Sequence, residues 1–188
     1  MAVQPVTAPD PPVAATARRT IVVGLGNPIL GDDGVGWRVA EEVARRSSLP
    51  VNVEAGDAPV AIECLSVGGL TLMEHLVGWD RAVLVDSVVG GGCPLGTIRC
   101  SSLASFHRPL GHLDSSHDAS LPDAIAAGRA VGAVLPDEIT VVAVETERCE
   151  TFGEALSPPV EAAVQSAASL VADLLDGYLE EDRCTKPG

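Results

Sequence analysis

The stretch TIVVGLGNPILGDDGVGWRVAEEVARR, residues 20 to 46, decides the fold. Its first seven residues form a short apolar, β-branched run ended by glycines, which reads as a buried parallel strand. Asp32 or Asp33 then offers a helix cap. Val35, Val39 and Val43 follow at i+4 spacing, and Arg45 and Arg46 sit in the last turn, where cations complement the helix dipole. Strand, loop and helix in that order are the repeating unit of an α/β domain.

Working outward, the same alternation recurs. Strands are predicted at 60 to 66 (VAIECLS) and 81 to 86 (RAVLVD), separated by a helix that starts near Gly69 and runs through LTLMEHL. After Gly90-Gly91-Gly92, the run GTIRCSS at 96 to 102 reads as an edge strand, parallel or antiparallel. Residues 103 to 117 hold three of the four histidines and form a loop, leading into a helix at about 118 to 132. EITVVAV at 138 to 144 is a further strand. Ser157-Pro158 opens a final helix, closed near Gly177, with Val160, Val164, Val171 and Leu174 at helical spacing. The expected fold is a single-domain α/β three-layer sandwich: a mostly parallel, twisted sheet of about five strands with helices on both faces. Residues 1–19, with four prolines, read as a disordered tail. The domain should span 20–177, and 178–188 should be a flexible C-terminal tail.

Composition agrees. Of 188 residues, 46% are hydrophobic but only 3% aromatic, so the core must be built from Val, Leu, Ile and Ala. The formal charge of −14, from 26 acidic against 12 basic residues, repels phosphate backbones and argues against nucleic acid as a partner. No apolar run approaches the roughly 20 residues of a membrane span. Arg18-Arg19 lacks the sustained apolar region of an export signal. The five cysteines are odd in number and none are paired at CxxC spacing, which fits a reducing compartment. The expected location is cytoplasmic.

In a parallel sheet, sites form beyond the carboxyl ends of the strands. Asp86 ends the apolar run AVLV, where a carboxylate is costly unless hydrogen-bonded, paired or metal-bound; a turn-capping role is the plain alternative. Asp32 and Asp33 lie at a predicted helix start, which favours their ionised forms, and either could cap while the other acts as a ligand. His117 lies before the next predicted helix, where the dipole keeps imidazole neutral and able to coordinate. His75, His107 and His112 carry no such signal. Two carboxylates with one imidazole suit nickel or zinc better than calcium. Gly24-x-Gly26 is followed by Ile29 rather than the third glycine of a dinucleotide site. Asp32 and Asp33 stand where a P-loop needs Lys and Ser/Thr.

Gly24-Leu25-Gly26-Asn27-Pro28-Ile29-Leu30-Gly31-Asp32-Asp33-Gly34-Val35-Gly36 resembles the opening of the hydrogenase maturation proteases. So do Gly68-Gly69, Val83-Leu84-Val85-Asp86, Ser116-His117-Asp118 with Leu121-Pro122-Asp123-Ala124, and Leu156-Ser157-Pro158-Pro159-Val160-Glu161, in the expected order over about residues 20 to 176. The resemblance implies an endopeptidase that removes a C-terminal peptide from the precursor of a nickel-iron hydrogenase large subunit. Asp33, Asp86 and His117 would be its catalytic and metal-contacting residues, the metal being the nickel of the precursor, with no organic cofactor. Asp33 stands where many members carry glutamate. Two other readings are a non-catalytic nickel-binding chaperone, and a peptidyl-tRNA hydrolase, which shares GLGNP. The negative charge and the missing Thr-Arg-His-Asn segment count against the latter.

Overall fold

The computed structural model describes residues 18–53, 56, 58–106, 120–147 and 152–184. Strands β1 (Thr20–Leu25), β2 (Val60–Leu65), β3 (Arg81–Val89), β4 (Ile98–Ser102) and β5 (Glu138–Thr146) form one sheet in the order β2-β1-β3-β5-β4. All pairings are parallel except β4 on β5, so the expected edge strand forms and its direction is antiparallel. Helices α1 (Val35–Ser47) and α4 (Pro158–Cys184) cover one face, against Val22, Val83, Val85, Val142 and Val144. Helices α2 (Gly69–His75) and α3 (Leu121–Ala130) cover the other, against Ile21, Val23, Leu84 and Val141. Both faces of the central strands are therefore apolar, which is why these runs are continuous rather than alternating. The expected α/β three-layer architecture is the observed one.

The chain moves from β1 to β2 on one side and then to β3 on the other. That reversal falls at the carboxyl ends of β1 and β3, the place where open α/β sheets bind ligands.

Helix α1 crosses the sheet with backbone touching backbone. A Cβ on Gly36 would lie 2.2 Å from the Leu25 carbonyl oxygen and 2.4 Å from that of Val85. Neither obstacle is a movable side chain. Gly36→Ala is expected to cost about 3 kcal/mol, the upper end of overpacking penalties, in urea unfolding. A loss below about 1 kcal/mol would mean that α1 can lift off the sheet without harm.

Several boundaries differ from expectation. Neither Asp32 nor Asp33 caps α1: Gly31–Gly34 forms a 3-10 turn, and α1 begins after Gly34 without any side-chain cap. Helix α3 starts at Leu121 rather than 118, because the Ser120 hydroxyl accepts the Asp123 N–H at 3.3 Å and Pro122 fits the first turn. Strand β3 continues past Asp86 to Val89 because β5 pairs with it through Thr146. The final helix does not close at Gly177. It runs to Cys184, with Tyr178 buried and Arg81 donating to the Tyr178 carbonyl at 3.3 Å and to Asp182 at 3.1 Å. Residues 178–184 are thus helix, not tail. At the other end, Arg18 and Arg19, grouped by sequence with the tail, are tied down. The Arg19 carbonyl accepts from the Asp80 and Arg81 N–H groups at 3.0 Å each, and its guanidinium stacks 4.3 Å from the Trp79 ring centroid.

Candidate active site

The segment between β1 and α1 folds back on the end of its own strand. Gly26 has φ +131°, and a Cβ there would lie 1.8 Å from the Asp33 carbonyl oxygen. The glycine is needed because the aspartate loop sits on top of it. The Leu30 N–H donates to the Asn27 carbonyl at 3.0 Å, and the Ile29 N–H to the Asn27 side chain at 3.2 Å, closing a tight turn. What resembled a phosphate-binding glycine pattern is the hinge that presents Asp33.

The two neighbouring aspartates have separate tasks. Asp32 is buried and turns away to the start of α4: it accepts the Ser157 N–H at 2.6 Å and the Ser157 hydroxyl at 2.7 Å. It fastens the Asp33 loop to the last helix. The Asp33 carboxylate accepts the Asn27 N–H at 2.9 Å through one oxygen and the Ser87 hydroxyl at 3.1 Å through the other.

Asp86 is fully buried, at 0% exposure, near the end of β3, and one of its oxygens accepts the Ser87 N–H at 2.8 Å. Ser87 therefore serves both carboxylates, donating its hydroxyl to Asp33 and its amide to Asp86. The two acids are held on either side of one residue, at the reversal point of the sheet. Two carboxylates so placed repel each other when both are ionised, and a divalent cation relieves that repulsion. The donor set fits a hard or borderline metal, with positions left for a nitrogen ligand, water or substrate.

Sequence reading singled out Asp33 and Asp86, and the structure brings both to Ser87. His117 lies outside the described residues, as do His107 and His112. Among the described residues no group of three or more His, Cys, Asp or Glu side chains is assembled for a metal. His75 is engaged elsewhere, with Nδ1 2.8 Å from Glu63. Of the cysteines, Cys64 is buried in the core, and burial pushes its thiol up to about 12. Burial also raises the Cys100 thiol. Both stay protonated near neutral pH, which makes them poor nucleophiles.

Ser87 was not read as a site residue, since a serine after a strand-ending aspartate signals only a turn. A second missed feature is the ion pair of buried Glu145 with partly exposed Arg99, 2.8 Å apart on β5 and β4. The Glu145 carboxylate also accepts the Gly91 N–H, and a Cβ on Gly91 would lie 1.9 Å from it. The pair pins the glycine loop that follows Asp86. Ser87→Ala removes one donor and keeps the backbone amide, so it is expected to weaken metal binding at the site about 10- to 100-fold without unfolding the protein. Calorimetric titration with nickel checks this, and unchanged affinity would reduce Ser87 to a packing residue.

A family model described as hydrogenase maturation protease matches residues 37–174. That range takes in Asp86 and His117 and starts just past Asp33. The hydrogenase 2 maturation protease of Escherichia coli K12 is 29% identical over 153 residues, covering 81% of this chain and 88% of that protein. The hydrogenase expression/formation protein HoxM of Azotobacter vinelandii is 28% identical over 161 residues, covering 85% and 73%. Among solved structures, the hydrogenase maturating endopeptidase HybD from Escherichia coli superposes with a TM-score of 0.66 at 26% identity, over 85% of this chain and 93% of that one.

Proposed function

The chain belongs to the hydrogenase maturation protease family and is a peptidase, and from that premise we propose that it removes the C-terminal peptide from the precursor of a nickel-iron hydrogenase large subunit. Asp33, Asp86 and His117 receive the nickel carried by that precursor. The observation supporting this is the pairing of Asp33 and Asp86 through Ser87 at the reversal point of the sheet. A divalent cation that reaches both carboxylates relieves their mutual repulsion. A precursor without nickel brings no such cation to the site.

With the precursor docked, the scissile peptide lies beyond the carboxyl ends of β1 and β3, and water is the nucleophile. Neither Cys64 nor Cys100 offers a reactive thiolate, since burial raises both thiols. Asp33 and Asp86 hold position through their bonds to Asn27 and Ser87, so the charge that meets the substrate is set before it binds. The protein is expected to work without an organic cofactor and in the cytoplasm; among the described residues no helix is long and apolar enough to cross a membrane.

The test is intact-mass measurement of a large-subunit precursor, nickel-loaded or nickel-free, after incubation with the protein. Loss of a C-terminal peptide from the loaded form alone is expected. An unchanged loaded precursor would identify a docking chaperone instead, and cleavage of both forms would remove the nickel requirement.

A further inference from the structure

Four large apolar side chains stand in solvent at the edge of the sheet where the site lies. Each belongs to a different parallel strand or the segment after it. Ile29 (48% exposed) follows β1, Leu70 (47%) follows β2, Val89 (44%) ends β3 and Phe152 (82%) follows β5. The chain has only two phenylalanines. Phe106 packs against the core, whereas Phe152 is left almost wholly in water.

Phe152 does not sit on an untethered loop. Its neighbour Gly153 donates its N–H to the Ile29 carbonyl at 2.9 Å and accepts from the Gly31 N–H at 2.6 Å. This short bridge fixes the Phe152 backbone alongside Ile29, and through Gly31–Gly34 alongside Asp33. Val89 is on the same strand as Asp86 and three residues beyond it. Ile29, Phe152 and Val89 are therefore tethered to the segments that carry the two carboxylates, while Leu70 shares with them the carboxyl end of the sheet. Exposed apolar groups gathered at one rim beside an acidic site mark an interaction surface.

We infer that Ile29, Leu70, Val89 and Phe152 form the platform on which the folded body of the large-subunit precursor docks, Phe152 being its anchor; this rests on the function proposed above. The tether to the segments of Asp33 and Asp86 selects this occupant, since whatever covers the rim also covers the mouth of the site. Charge adds to the choice. In sequence Phe152 is flanked by Glu147, Arg148, Glu150 and Glu154, three acidic residues to one basic, on a chain whose net charge is −14. The matching surface on the precursor is an apolar patch flanked by Lys or Arg. An aromatic that fills a partner's pocket at the centre of such a patch carries a large share of the affinity, while its neighbours exclude water.

The test measures binding of full-length Phe152→Ser and Ile29→Ser proteins to nickel-loaded precursor by biolayer interferometry, with thermal melting and cleavage recorded separately. Both side chains are exposed, so melting temperatures should match wild type. Phe152→Ser is expected to raise Kd about 10- to 100-fold and Ile29→Ser about 10-fold. Val131→Ser, at an exposed position on the opposite edge of the sheet, serves as control and should bind as wild type does. Wild-type affinity in both rim variants overturns the platform, as does a wild-type protein that fails to bind the precursor. A wild-type protein that binds without cutting would instead overturn the peptidase reading, and the Kd comparison would still decide the platform.

Discussion

Asp86→Asn is expected to lower processing of the nickel-loaded precursor by at least about 100-fold, because groups that merely support a metal ligand are already worth 10- to 100-fold. Asn keeps the size of the side chain and the acceptor for the Ser87 amide but removes the charge. The defect should therefore appear as lost nickel affinity and lost cleavage in a protein that still melts cooperatively. Asp33→Asn should behave alike. Asp32→Asn should not: its carboxylate is engaged with Ser157, so the variant should lose about 1 kcal/mol of stability, as for a weakened helix cap, while each folded molecule still cleaves. Intact-mass kinetics and thermal melting on the three variants separate these outcomes. Full processing by Asp86→Asn would remove that residue from the site.

The second large effect is on stability. Arg81 is buried at the start of β3 and reaches Glu138 at 3.1 Å, Glu181 at 3.0 Å and Asp182 at 3.1 Å, with its guanidinium 4.6 Å from the Tyr178 ring centroid. It clamps the last two turns of α4 to the sheet. Arg81→Met keeps much of the volume but leaves three carboxylates facing one another around an apolar side chain. The expected cost is about 3 kcal/mol, at the low end for breaking a buried ion pair because Glu138 and Glu181 can still reach water. That loss corresponds to a melting-temperature drop of about 10 °C for a domain of this size. Glu138→Gln, which removes one half-exposed partner, should cost about 1 kcal/mol or less. Equal melting temperatures for wild type and Arg81→Met would mean that α4 is held by its apolar face alone.

The fold was readable because its determinants are local. The runs 20–26, 81–86 and 138–144 are apolar without alternation, and the valines of α1 and α4 recur at helical spacing, so strand and helix could be told apart along the chain. Asp86 was readable for the same reason: a carboxylate ending a buried run demands a partner wherever the rest of the chain goes. What could not be read depends on partners far away in sequence. Asp32 and Asp33 look equivalent until Ser157 arrives, 125 residues later, to take one of them. Gly177 signals a helix end, and the signal is overridden by Arg81, 97 residues upstream of the Tyr178 carbonyl it holds. Ser87 carries no mark of its own, since its role exists only once β1 and β3 lie side by side.

Separating Asp32 from Asp33 narrows the acidic centre to one pair, Asp33 and Asp86, with His117 as the third ligand proposed for it. The most direct test is a crystal of the protein soaked with nickel, with the ion located by anomalous scattering. One peak is expected, with oxygens of Asp33 and Asp86 and an imidazole nitrogen of His117 all within about 2.0–2.2 Å. A peak that lacks either carboxylate, or one that includes Asp32 in place of Asp33, would contradict the account.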